Sequence, residues 1–175
     1  MKSIKTKRLV LSAMLLCMGL VLPFLTGQIK EIGDSLLPMH IPVMLCGLLC
    51  GAYYGGAVGL MMPFVRSLFF GMPPIYPNAV WMSLELATYG FVIGILYFRA
   101  KRKSLAVLYI SLISAMLAGR VIWGISKALL LGLGGKAFTV GMFVSGGFID
   151  SLPGMILQLI LIPFIVKMIE KRNTR

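Results

Sequence analysis

The chain has 175 residues, of which 59% are hydrophobic and 13% charged, and its mean hydropathy is +0.96. A soluble domain is about half apolar and about a quarter charged, so this composition indicates an integral membrane protein and argues against a soluble enzyme. The net charge of +12 arises from 17 Lys and Arg against 5 Asp and Glu. Because the cations cluster beside apolar segments, the charge indicates membrane topology rather than nucleic-acid binding.

Long apolar runs predict six membrane-spanning helices, since one crossing needs about 20 apolar residues. In chain order the predicted spans cover residues 9–26, 40–50, 56–70, 79–98, 105–131 and 138–168. The runs do not alternate in polarity as the strands of a membrane β-barrel do. We therefore interpret residues 1–175 as a single all-α transmembrane domain.

Glycine and proline set the predicted boundaries. The apolar stretch 36–71 is divided in two at the turn-like segment 51–56, and the proline-rich segment 71–78 is predicted to be a stiff loop. The last span is longer than the hydrocarbon layer, so we expect it to tilt or to kink at Pro153 or Pro163.

The basic residues predict that both termini are cytoplasmic, as the positive-inside rule requires. Twelve cations flank the spans on this side: Lys2, Lys5, Lys7, Arg8, Arg99, Lys101, Arg102, Lys103, Lys167, Lys171, Arg172 and Arg175. The predicted outer loops carry only Lys30 and Lys136. The run 99–103 is cytoplasmic only if four spans precede it, which supports the division of 36–71.

Five ionisable residues lie within predicted spans: Arg66, Glu85, Arg120, Lys127 and Asp150. Each costs at least about 2.5–3.5 kcal/mol at membrane depth, so such residues usually face a cavity or one another. They are predicted to lie in the outer half or near the midplane. Two interpretations remain open: a polar cavity that binds a small molecule from outside, or interhelical ion pairs without a ligand.

Helical spacing groups some of these residues. Trp81, Glu85 and Tyr89 recur every four residues on one face, and Arg120 and Lys127, seven apart, share another. A cavity with these walls would offer aromatic surface, carboxylate acceptors and cations.

Other polar groups extend the candidate site. Asp150 is predicted to share a face with Gly146, Gly147 and Gly154, where small residues permit close approach. His40 lies at the outer entrance of the second span, where either a ligand contact or a capping role fits.

Several chemistries have no support in the sequence. The chain lacks the G-x-x-x-x-G-K-[ST], H-E-x-x-H and G-x-S-x-G motifs, so we expect neither an ATPase nor a common membrane hydrolase. No metal-ligand pattern accompanies the single histidine, and Cys17, Cys46 and Cys50 are interpreted as packing residues. We therefore predict that the protein is not an enzyme and has no cofactor or metal, although a membrane enzyme using Glu85 and Asp150 stays a minor alternative.

Three segments carry a family resemblance: 37–43 (Leu-Pro-Met-His-Ile-Pro-Val), 70–77 (Phe-Gly-Met-Pro-Pro-Ile-Tyr-Pro) and 85–90 (Glu-Leu-Ala-Thr-Tyr-Gly). With these and the six-span layout, residues 5–170 resemble the substrate-binding S component of an energy-coupling factor (ECF) vitamin transporter.

The resemblance implies a vitamin-like substrate bound in the outer half among spans four, five and six, under loops 28–37, 71–78 and 131–139. It implies a transmembrane coupling protein and two ATPases as partners, in the plasma membrane of a bacterium. The family presents small residues of the first span to the coupling protein, and the matching positions here are Ala13, Cys17 and, nearby, Gly19.

The predicted function is therefore capture of a water-soluble vitamin or related compound, with pantothenate, pyridoxine-type and queuosine-type compounds as candidates. The predicted substrate contacts are His40, Arg66, Asn78, Trp81, Glu85, Tyr89, Arg120, Lys127 and Asp150. Two rival functions remain: a stand-alone proton-coupled transporter and a six-helix membrane scaffold without a ligand.

Overall fold

The computed structural model describes residues 2–26, 35–135 and 137–173, and within these ranges it is helical without any strand. We number the α-helices α1 (Lys2–Val21), α2 (His40–Cys50), α3 (Ala52–Phe70), α4 (Val80–Arg99), α5 (Leu105–Leu133), α6 (Val140–Val144) and α7 (Leu152–Asn173). The short α6 and the long α7 belong to one apolar segment, so the helices form six spans, as predicted.

Four segments are long and apolar enough to cross a membrane: Ile4–Phe24, Ile75–Arg99, Leu105–Leu133 and Val140–Ile169. Helix α3 has 19 residues, about the length of a crossing, whereas the apolar α2 has only 11. All residues of α2 except Leu49 are buried. Protein therefore surrounds α2, and lipid thickness does not set its length.

One glycine separates α2 from α3. Gly51 has φ 104° and ψ 171°, a conformation that favours glycine, and α3 begins at the next residue. The turn predicted over residues 51–56 is therefore shorter in the structure, since residues 52–56 are already helical. A single residue with positive φ is enough to redirect the chain.

The proline segment is non-helical over most of its predicted length. Gly71, with φ 70°, ends α3 in the left-handed conformation, and Tyr76, with φ −119° and ψ 135°, is extended, so the helical turn that leads into α4 begins only after Tyr76. Pro77 is tolerated there because an amide hydrogen in the first turn of a helix has no partner within the helix.

The sixth span is interrupted before either predicted proline. A π-helical turn, Ser145–Ile149, follows α6, and α7 begins at Leu152. Pro153 lies in the first turn of α7, and Pro163 lies within that helix. The interruption coincides with Gly146 and Gly147, where the absence of side chains weakens the helix.

Helix α4 is the centre of the bundle, and it packs against α2, α3 and α5, while α1 covers α2 and α3. The contacts among α2, α3 and α4 are made by backbone against backbone. A Cβ atom built on Gly90 would collide with the backbone of Gly55, and one built on Gly55 would collide with Gly47 and Gly90. We call Gly47, Gly55 and Gly90 the glycine seam.

Arg66 joins the ends of α1 and α3. It is 4% exposed, its Nη1 donates to the carbonyl oxygen of Leu20 at 2.6 Å, and its guanidinium carbon lies 5.3 Å from the ring centre of Phe24 and 5.6 Å from that of Phe70. The last carbonyls of a helix lack partners within the helix, so the cation satisfies one of them and interacts favourably with the helix dipole.

Substitution of Gly90 by alanine is expected to destabilise the bundle by about 1–3 kcal/mol, since rigid backbone faces the added methyl group. The matched control is Gly132→Ala, because Gly132 lies in α5 with nothing within 4 Å of its added Cβ. Thermal unfolding in detergent measures both variants. Equal midpoints for the two would contradict backbone contact at the seam.

Substitution of Arg66 by methionine is expected to lower the free energy of unfolding by about 2 kcal/mol, because the hydrogen bond to Leu20 and both aromatic contacts are lost. The conservative Arg66→Lys variant keeps the charge but not the planar donor, and it should restore only part of the stability. Chemical or thermal unfolding of the three proteins tests this, and a methionine variant as stable as the parent would refute it.

Candidate functional site

A buried polar cluster lies where α2, α4 and α5 meet. Oε1 of Glu85 on α4 lies 3.0 Å from Nη1 of Arg120 on α5 and 3.4 Å from Nε2 of His40, the first residue of α2. The His40 ring meets the Tyr89 ring edge to face, with 5.0 Å between their centres. All four residues are at most 2% exposed.

Small residues allow this approach. Gly119, next to Arg120, lies against the ring of Tyr89, and an added Cβ there would overlap the ring atoms. Gly47 lies against the backbone of Gly90, the residue after Tyr89. The close packing of α4 against α2 and α5 thus brings His40 from α2 and Arg120 from α5 to Glu85 on α4.

Charge compensation makes the cluster tolerable at membrane depth. Breaking a buried ion pair by removing one partner is strongly destabilising, since an uncompensated charge remains. The same carboxylate oxygen of Glu85 lies near both Arg120 and His40. Nε2 is the ring nitrogen of His40 that faces the carboxylate.

Within the described part of the chain, six buried side-chain polar atoms have no hydrogen-bond partner. Five belong to the polar cluster, namely Nδ1 and Nε2 of His40, Oε1 of Glu85, and Nε and Nη2 of Arg120, and the sixth is Nε2 of Gln158 on α7. A buried donor without a partner costs about 1–3 kcal/mol, and more when it is charged. Such groups are expected to bind something polar, and most of them are donors.

Gln158, which is 1% exposed, lies on α7. One turn before it, Gly154 packs against the backbone of Ser35 and Leu36.

An aromatic group lies beside the polar cluster. Nζ of Lys127 is 4.5 Å from the ring centre of Trp123, 5.5 Å from that of Trp81 and 5.7 Å from that of Phe138. The guanidinium carbon of Arg120 is 5.9 Å from the Trp123 ring centre. Trp123 therefore connects the aromatic group to the ion pair. The aromatic rings offer apolar surface next to the cations of Arg120 and Lys127.

The structure brings most of the predicted contacts together. His40, Glu85, Tyr89 and Arg120 form the polar cluster, and Trp81 and Lys127 belong to the aromatic group. Asn78 is half-buried in the turn before α4. The predicted loop 28–37 lies largely outside the described residues, as do Lys30 and Lys136.

Two predicted residues lie apart from the cluster. Arg66 is held by Leu20, Phe24 and Phe70 at the ends of α1 and α3. The Asp150 side chain is exposed. Its predicted position assumed a continuous helix, but the π-helical turn changes the register, so the residues before and after it no longer share the expected face.

Sequence reasoning missed Gln158, Trp123 and Phe138. A signal existed for two of them. Gln158 is an uncharged polar residue in the otherwise apolar run 155–166, and Trp123 lies three residues after Arg120 and four before Lys127, on the same helix face. Phe138 follows α5 in a loop, where periodicity gives no guidance.

The predicted coupling residues separate into two groups. Ala13 and Cys17 lie on the exposed side of α1, whereas Gly19 is buried against the side chain of Met62. Within the described ranges no three His, Cys, Asp or Glu residues are close enough to hold a metal ion.

Comparison with known proteins gives one family. No curated protein and no solved structure shows significant similarity to the chain. A family model, that of the ECF transporter substrate-specific component, matches residues 7–168, nearly the whole chain. The chain thus belongs to the family of substrate-specific components of ECF transporters, multi-pass membrane proteins whose family implies association with a membrane coupling protein and ATPases.

Proposed function

We propose that the protein is the substrate-binding subunit of an ECF-type importer in a bacterial plasma membrane. It captures a water-soluble vitamin or related compound from outside and delivers it with a coupling protein and two ATPases. Pantothenate, pyridoxine-type and queuosine-type compounds are the candidate substrates. The observation that carries this proposal is the buried polar cluster with its unpartnered atoms, found in a chain of a substrate-specific family.

The cluster suits substrate binding better than support of the fold alone. A purely structural network is expected to satisfy its donors internally, because each unpaired buried donor destabilises the fold. Here Nε and Nη2 of Arg120 and Nε2 of Gln158 have no partner in the described ranges. The adjacent rings of Trp123 and Trp81 supply the apolar surface that pockets for small organic molecules usually have.

The proposed topology puts this site in the outer half of the membrane. With both termini cytoplasmic, α4 begins at the outer side, and Glu85 lies five residues into it, roughly 8 Å deep. Helix α5 ends at the outer side with Leu133, and Arg120 lies near its middle. A substrate from outside would therefore reach the cluster without crossing the whole bilayer.

The exposed side of α1 is the proposed docking surface for the coupling protein. Ala13 and Cys17 are exposed there, and small residues let helices approach closely in membranes. Large apolar neighbours, including Val10, Met14 and Met18, are at least half exposed. Gly19 faces the opposite way and contributes to the packing of α3.

The function is tested by purifying the protein in detergent and identifying any compound released on denaturation by mass spectrometry. A stoichiometric small polar compound is expected, together with uptake by liposomes that contain the complete complex and ATP. Uptake by liposomes that contain this chain alone would instead favour a proton-coupled transporter. Absence of any bound or stabilising compound would favour the scaffold.

Substitution of Glu85 by glutamine is expected to weaken substrate affinity by at least about tenfold, since the group that holds Arg120 loses its charge. The matched control is Asp150→Asn, which removes the same charge from an exposed side chain and should change affinity less than about twofold. Titration calorimetry with the released compound measures both. Equal affinities for the two variants would remove Glu85 from the site.

Substitution of Cys17 by tryptophan is expected to abolish co-purification with the coupling protein, because the larger side chain prevents close helix approach. Its substrate affinity should match that of the parent. Ile125→Trp is the control, since Ile125 is 52% exposed on α5 rather than on α1. Retained co-purification of the Cys17 variant alongside the control would refute the proposed docking surface.

A further inference from the structure

We infer that the substrate carries a carboxylate group, and that Arg120 binds its two oxygens with the unpartnered edge of its guanidinium. This inference rests on the proposed function, because it assigns the chemistry of the molecule that the buried cluster receives.

The donors of Arg120 divide into two sets. Nη1 is directed at Glu85, 3.0 Å away, whereas Nε and Nη2 are buried and have no hydrogen-bond partner in the described part of the chain. Nη2 is the terminal nitrogen on the same side as the Nε hydrogen, so these two N–H groups point in parallel from one edge. Parallel N–H donors at this spacing match the two oxygens of a carboxylate.

This edge is held in place before any ligand arrives. Glu85 fixes the opposite side of the guanidinium, and the Trp123 ring lies beside it, with 5.9 Å from the guanidinium carbon to the ring centre. Arg120 is 2% exposed. A donor pair fixed in this way loses little conformational freedom when it binds a planar anion, which favours affinity.

Local charge also favours an anion. Two basic side chains, His40 and Arg120, contact the Glu85 carboxylate, and a third, Lys127, belongs to the adjacent aromatic group. Arg120 and Lys127 both lie beside Trp123. A cationic group of a ligand would be repelled by these two side chains, whereas a carboxylate would be attracted by them.

The inference separates the candidate substrates. Pantothenate has a carboxylate, whereas pyridoxine has hydroxyl groups on a pyridine ring and queuosine-type bases have an amine. Only the first offers two equivalent oxygens to the Nε–Nη2 edge of Arg120. Neutral groups with one oxygen would leave one of the two buried donors unpaired.

The first experiment needs no variant. Mass spectrometry identifies the compound that co-purifies with the protein, and calorimetry then compares matched pairs: pantothenate with pantothenol, and nicotinate with nicotinamide. We expect the released compound to contain a carboxylate. We also expect the acid of the corresponding pair to bind about 100-fold more tightly than its neutral analogue.

The second experiment tests Arg120 itself. Arg120→Lys keeps the charge but loses the parallel donors, so affinity for the acid should fall about 100-fold while affinity for the neutral analogue changes little. Arg102→Lys, at an exposed position between α4 and α5, is the matched control and should bind like the parent. Should the Arg120 variant fail to fold, the acid and neutral pair on the parent protein still decides the question.

The outcomes distinguish the two proposals. A released compound without a carboxylate, or equal affinity for an acid and its neutral analogue, would overturn the carboxylate assignment and leave the importer function standing. A protein that holds and binds no compound, and that does not co-purify with a coupling protein, would overturn both.

Discussion

A carboxylate can lie at membrane depth in this protein only because two basic side chains meet it from different helices. Glu85 on α4 pairs with Arg120 from α5 at 3.0 Å and lies 3.4 Å from Nε2 of His40 from α2. An isolated charge in hydrocarbon would destabilise the helix that carries it. The relative positions of these three helices therefore depend on the Glu85 carboxylate. The aromatic group depends on it too, because Trp123 packs beside Arg120.

The glycine seam makes this electrostatic arrangement geometrically attainable. Side chains at Gly47, Gly55 or Gly90 would push the backbones of α2, α3 and α4 apart, and His40 would then lose contact with Glu85. Packing without large side chains gives up apolar burial, but it lets short polar side chains reach one another. In lipid, close backbone approach is itself a main source of helix association.

The sequence predicted the spans and much of the site, because apolar length, charge at helix ends and four-residue spacing are local signals. It paired Glu85 with Tyr89, and Arg120 with Lys127, on the correct faces. It placed Asp150 on the wrong face, since the π-helical turn at Gly146 and Gly147 shifts the register, and two glycines do not by themselves distinguish such a turn from a continuous helix. Gln158 was missed because its burial depends on where α7 packs, which is not a local property.

The short helix α2 has a consequence for the electrostatics of the site. Its amino terminus begins at His40, whose side chain reaches Glu85, so the positive end of the α2 macrodipole is the end that faces the buried cluster. A sliding movement of α2 along its axis would carry half a unit charge, to a rough approximation, toward or away from the Glu85 carboxylate. The axial position of α2 thus sets part of the electrostatic potential that a molecule bound at the cluster would feel.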